Sequence, residues 1–251
     1  MTPRRYALPL AVVALWQGLS WAGLIPAYKL PSPLAIAQGL VDLVLVGMPP
    51  GHRLPSHLFY SLYRVAWGFF LAALLGVPLG LLMGWSRPLR QLVTPLVELV
   101  RPVPPLAWIP ISILWFGIGI KSAAFIIFLG AFFPILLNTI AGVRSVNPTL
   151  PEAARTLGAR ERDIVLKVLL PGSVPSIFVG LRIGLGIGWM TLVAAEFTGV
   201  RSGYGLGYMI MTARDIQRAD EIMAGMGVIG ITGLLIDWGL RVLQRRLLPW
   251  K

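Results

Sequence analysis

The sequence predicts an all-α integral membrane protein, with about six transmembrane helices in one domain spanning residues 1–251. Composition, run length and charge placement carry that prediction. Apolar residues make up 56% of the chain and charged ones only 13%, where a soluble domain carries about a quarter charged residues. Several uncharged stretches reach the roughly 20 residues a helix needs to cross a bilayer. The 22 Lys and Arg, against 10 Asp and Glu, fall in short clusters between those stretches. That is the layout of membrane-flanking loops, not the single basic face of a nucleic-acid binder. An ordinary soluble enzyme and a disordered chain are excluded. With no cysteine, so are a disulfide scaffold, a thiolate metal site and a Cys nucleophile.

The spans follow in order. The first, 6–28, is long; Arg4-Arg5 ahead of it also suit a signal peptide, but no clear small-x-small cleavage site follows. The second covers 62–86. The third, 90–118, holds Pro102, Pro104, Pro105 and Pro110, which remove backbone donors, so it is expected to bend. The fourth is 121–143. The fifth, 170–198, and the sixth, 221–244, embed Arg182 and Asp237. A short amphipathic helix is expected near Leu34 to Val46, ahead of the second span.

Orientation follows from the basic residues. With the N-terminus in the cytoplasm, thirteen Lys and Arg fall inside, among them Arg4, Arg5, Arg87, Arg144, Arg155, Arg245 and Lys251. Six fall outside: Lys29, Arg53, Lys121, Arg201, Arg214 and Arg218. Both termini are therefore expected in the cytoplasm, as is the polar 144–170 loop. Within that loop Glu152 to Leu157 favours a helix, Gly158 suits its C-terminal cap, and a second helical piece leads to Pro171, where the fifth span starts. A solvated connector and a docking element both fit this composition.

The loop also carries a pattern. Glu152-Ala153-Ala154, three residues, Gly158, nine residues and Val168-x-Leu170-Pro171 resemble the EAA loop of binding-protein-dependent ABC importer permeases; Val168 for Ile is the one departure. Leu30-Pro31-Ser32-Pro33, His57 through Ser61-Leu62-x-Arg64, and Arg101-Pro102-Val103-Pro104-Pro105-Leu106-Ala107-Trp108-Ile109-Pro110 resemble the nitrate/sulfonate/taurine-type branch. The resemblance implies a type I importer permease fold in a bacterial inner membrane, working as a homodimer with a pair of ABC ATPase subunits and an external solute-binding protein. It implies that the coupling helix seats in a groove of the ATPase. Glu152 would cap or pair at the helix start, Ala153 and Ala154 would be buried there, and Arg155 would pair with acidic ATPase residues. Leu157, Gly158, Leu170 and Pro171 complete the coupling loop. No G-x-x-x-x-G-K-[ST] loop exists, so ATP and Mg belong to the partner, this chain is not an enzyme, and no cofactor or nucleic acid is expected on it.

The translocation path is sought among intramembrane charges and small residues. Arg101 and Arg182 are candidates for meeting an anionic solute, with Gly184, Gly188 and Glu196 on the fifth span beside them. Packing alone would also explain Gly180, Gly184 and Gly188, as it would Gly76, Gly80 and Gly84. Glu98 and Arg101 share a helix face and would neutralise each other. An ion-gradient-driven secondary transporter is the alternative, and Glu98 and Glu196 are the acids that reading would need.

Overall fold

The computed structural model describes residues 4–197 and 203–247, and every regular element among them is helical. Arg201, Lys251 and the end of the fifth span at residue 198 lie outside the described residues. Helix α1 spans Arg4–Trp21 and α2 Pro33–Leu45. Gly23, at φ +70°, ends α1: its N–H reaches the Ser20 carbonyl and that of Leu24 reaches Leu19, the paired bonds of a Schellman cap. The first span thus stops at Trp21 instead of Tyr28. Ser32 caps α2 by accepting the Ala35 N–H at 3.1 Å, with Pro33 at the first helical position.

Helix α3 runs Leu54–Trp85, starting eight residues before the expected 62, and α4 covers Arg87–Val100. Pro102, Pro104 and Pro105 then break the chain. A 3₁₀ turn at Pro105–Trp108 leads into α5, Ile109–Phe116, and the two arms meet at 80°. Helix α6 is Ile120–Ser145 and α7 is Thr149–Thr156. Helix α8, Glu161–Ile164, continues through a π turn at Val165–Leu169 into α9, Leu170–Phe197. Pro171 therefore does not start a separate span. The Leu170 N–H bonds back to the Val165 carbonyl, and that wider turn accommodates the proline within one bulged helix. Helices α10, Leu206–Asp215, and α11, Ala219–Leu247, complete the order.

Among the described residues four helices are long and apolar enough to cross a membrane, α3, α6, α8–α9 and α11, and the bent α4–α5 pair makes a fifth. The apolar part of α1, Ala7–Trp21, is shorter than the roughly 20 residues a crossing needs.

Contacts divide the chain into two units, with the seams inside α3, α9 and α11. One holds Met1–Ser61 and Glu196–Thr232. Its core gathers Leu43, Leu206, Met209 and Ala213, all essentially inaccessible. Gly39 of α2 lies against the Asp220 backbone, leaving no room for a Cβ. Arg218 bonds Asp42, Asp220 and Glu221 at 2.9 Å each, and these carboxylates hold its guanidinium above its ordinary range, Asp220 foremost.

The other unit, Leu62–Ala195 with Gly233–Lys251, is built on α6. A Cβ on Gly80 would stand 2.6 Å from Thr139 and one on Gly84 2.6 Å from Val143, so the stripe on α3 is where two backbones approach closely. Helix α9 uses a matching stripe. Cβ atoms on Gly180, Gly184 and Gly188 would meet Asn138, the Ala131 carbonyl and Ile127 at 2.8, 2.8 and 3.1 Å.

Candidate functional site

The 149–158 element is fixed from within its own unit. Gly158 sits at φ +79°, a conformation L side chains resist. Its N–H bonds the Arg155 carbonyl while that of Ala159 bonds Ala154, so α7 closes with a Schellman cap. Ala154 and Ala159 pack on a cluster of Val143, Ile164 and Leu169, from α6, α8 and the π turn. Arg155 forms a forked pair with Glu161, Nε to Oε1 at 2.9 Å and Nη2 to Oε2 at 3.3 Å. Its Cζ also lies 4.9 Å from the centre of the Trp85 ring. The Glu161 carboxylate pushes the Arg155 guanidinium above its usual range.

These placements modify the sequence reading. Helix α7 starts at Thr149, three residues early, so Glu152 is not its cap; it stands exposed in the first turn, where the helix dipole still favours a negative charge. Ala153 is exposed and Ala154 half-buried on this chain's own core. Arg155 already has a carboxylate, six residues along its own chain. Leu157 is the outlier: a large apolar side chain 87% exposed beside a cavity of about 320 Å³ that Ala154, Gly158, Ala159 and Ile164 also line. Leu170 is half-buried at the start of α9, and Pro171 is exposed.

The path candidates separate by surroundings. Gly184 and Gly188 are buried against α6. Arg182 is compensated: Asp237 accepts from its Nε, and from Nη2 at 3.3 Å, while also taking the Arg241 Nε–H at 2.9 Å. Arg101 is different. It is the exposed C-cap residue of α4, its backbone N–H bonded to Val97 at 2.9 Å, and it opens on a cavity of about 360 Å³. Among the described residues no ion pair joins it to Glu98. Three apart at the end of α4, the two side chains are each exposed on this chain and do not meet.

Glu196 is completely buried and belongs to the other unit. The Ser61 hydroxyl donates to its carboxylate, 2.8 and 3.0 Å from the two oxygens, and the Gly207 N–H donates to Oε2 at 2.9 Å. Ser61 in turn accepts the Leu206 N–H at 2.9 Å. His57, also inaccessible, is held at both ring nitrogens by backbone: Nδ1 lies 3.0 Å from the Gly205 nitrogen and 2.9 Å from its carbonyl oxygen, and Nε2 lies 3.0 Å from the His52 carbonyl. One of the two acids on which a proton-coupled carrier would rely is thus held by a hydroxyl and a backbone donor, against Gly205, where a Cβ would stand 2.7 Å from its carboxyl carbon. Sequence reasoning gave His57 and Ser61 no role although they carried part of the resemblance, and it overlooked Trp85 and Asn138 altogether.

Apolar helices, a bent prolyl span and an EAA-pattern loop fixed on the core together describe a membrane permease subunit. Residues 76–250 match the binding-protein-dependent transport system inner membrane components, and the chain belongs to that family. It is similar to the taurine transport system permease protein TauC of Escherichia coli, 42% identical over 242 residues, 95% of this chain and 86% of that one. It is also similar to the putative aliphatic sulfonates transport permease protein SsuC of Bacillus subtilis, 40% identical over 244 residues, 97% of this chain and 86% of that one. An inward-facing structure of the MetNI methionine ABC transporter matches with a TM-score of 0.68 at 24% identity, over 77% of this chain and 95% of that one, a likeness of fold. The chain is an ABC importer permease of the nitrate/sulfonate/taurine-type branch, multi-pass in the inner membrane, and its relatives are transport subunits, not enzymes.

Proposed function

We propose that the chain, paired with a second copy, forms the path of an ATP-driven importer for a small anionic solute delivered by an external binding protein. ATP and Mg act on a separate ATPase pair, and this chain holds no cofactor. Both termini and the 144–170 loop face the cytoplasm, where Glu152, Ala153 and Leu157 of the α7 element seat on the ATPase.

The observation that carries this reading is the build of that element. It combines an exposed leucine tip, a rigid Schellman exit and an anchor on α6, α8 and the π turn. A coupling element works only if displacement at its tip moves packed helices as bodies. Helix α7 follows α6 after three residues and leads through α8 into α9, the two helices joined by the glycine stripe of the 62–195 unit. A push at Leu157 therefore reaches the helices that would line a path. Arg101, without an ion pair among the described residues, supplies the cation facing the solute, while Arg182, Gly184 and Gly188 hold the frame of the same unit and Glu196 holds the core of its own. The relatives named for taurine and aliphatic sulfonates support an acid group on the solute, since both kinds of compound carry a sulfonate.

The test is the double variant Glu152→Gln/Gly158→Leu in the assembled transporter. Solute-stimulated ATP hydrolysis and uptake are expected to fall to background while the protein accumulates in membranes at the parental level. Unchanged uptake would refute the coupling role.

A further inference from the structure

Two open cavities among the membrane helices of the 62–195 unit differ in chemistry. One, about 480 Å³, is walled by Tyr63, Trp67, Leu71, Phe125 and Phe128, with Lys121 its one charged residue. The other, about 360 Å³, lies beside the α4–α5 bend and is lined by Arg101, Val103, Trp108, Phe133, Pro134 and Asn138 among others, with no acidic residue in its wall. Its size is that of a small-ligand pocket.

Arg101 brings a guanidinium fork of five donors to this wall. The bend that holds it is rigid, because Pro102, Pro104 and Pro105 fix three of the next four φ angles after its backbone N–H closes on Val97. An uncompensated cation among membrane helices is costly unless water or an anion meets it. Asn138 supplies the second polar element. Its Nδ2 donates to the Pro134 carbonyl at 2.8 Å, which fixes the amide and leaves Oδ1 as an acceptor. Trp108 and Phe133 add aromatic surface to the same wall.

We propose that this cavity is a solute subsite of the permease itself, selecting a small organic anion that carries a hydrogen-bond donor at its far end. The acid group meets the Arg101 fork, which suits a planar or tetrahedral oxyanion. The donor meets Asn138 Oδ1, and the carbon spacer lies along Trp108 and Phe133. An inorganic anion would satisfy Arg101 alone. The inference rests on the importer reading above and adds selectivity that a bare conduit would lack.

The test uses the permease–ATPase complex in nanodiscs without binding protein, with 2-hydroxyethanesulfonate, methanesulfonate and nitrate as probes in equilibrium dialysis. Saturable binding of 2-hydroxyethanesulfonate is expected, about tenfold tighter than methanesulfonate, as for one hydrogen bond gained in a dry site. Arg101→Gln should weaken every probe by about tenfold or more, and Asn138→Leu should erase only the preference for the hydroxylated probe. Because either change can disturb packing, Val103→Cys provides a second reading: 2-hydroxyethanesulfonate should slow modification of the thiol by a maleimide. No saturable binding with no protection, or equal binding by Arg101→Gln, would overturn the subsite. If uptake with binding protein and ATP persists in that case, the importer reading stands; if the complete transporter accumulates nothing, both fall.

Discussion

Ser61 shows how much one hydroxyl can hold. It donates to a fully buried carboxylate and accepts from the Leu206 N–H, so Ser61→Ala leaves a charged acceptor and a backbone donor short of partners at once. A loss of about 1–3 kcal/mol or more is expected, read as a lowered melting temperature in detergent, while Ser61→Thr, which keeps the hydroxyl, should recover part of it. Gly205 is set by the same group, since a Cβ there would lie 2.7 Å from the Glu196 carboxyl carbon. Gly205→Ala should therefore lower stability, whereas Gly186→Ala, with no atom within 4 Å of its Cβ, should leave the melting temperature unchanged or slightly raised. Little of this was legible in the sequence. An intramembrane acid at Glu196 marks a costly group, but its partner hydroxyl lies 135 residues away, and no helical periodicity joins positions that distant. Arg182 and Asp237, 55 residues apart, were opaque for the same reason.

At the scale of elements, local chemistry spoke more clearly. Ser32-Pro33 announced the start of α2, the prolines after Arg101 announced a bend, and Gly158 announced the end of α7, because each acts on its own backbone within a turn. The same locality explains the misses. The Gly23 cap that ends α1 lies inside an uninterrupted apolar run, where hydropathy gives no stop signal. Pro171 looked like a boundary because a proline breaks a regular α-helix, and a π turn beforehand accommodates it. Close helix packing also leaves a readable trace, the i, i+4 glycines, but that trace does not say which helix fills the stripe. Helix α6 fills both. Replacing Gly80 by Val should overpack the Thr139 contact and cost about 1–3 kcal/mol, measured as a lower melting temperature, and should reduce uptake in proportion to the folded fraction. A larger loss of uptake per folded molecule would mean that the α3–α6 contact also moves during transport.

For the whole molecule, fold class and family were readable because they rest on summed quantities and on a spaced pattern. Thirteen against six basic residues gave an orientation, and the EAA spacing gave a family that the relatives bear out. The helix count was less secure, since α1 ends early and α4–α5 divides one span between two arms. The solute was not legible at all. In the subsite proposed above, solute choice depends on where single polar groups such as Arg101 and Asn138 come together in the fold.

The most direct test of the central claim exploits the absence of cysteine from the chain. A single Leu157→Cys change puts one thiol at the exposed tip of α7. In membranes stripped of the ATPase that thiol should react with a membrane-impermeant maleimide only in inside-out vesicles; in the assembled transporter it should be shielded and should form a crosslink to the ATPase subunit. Labelling from the external face, or equal reactivity with and without the ATPase, would contradict the account.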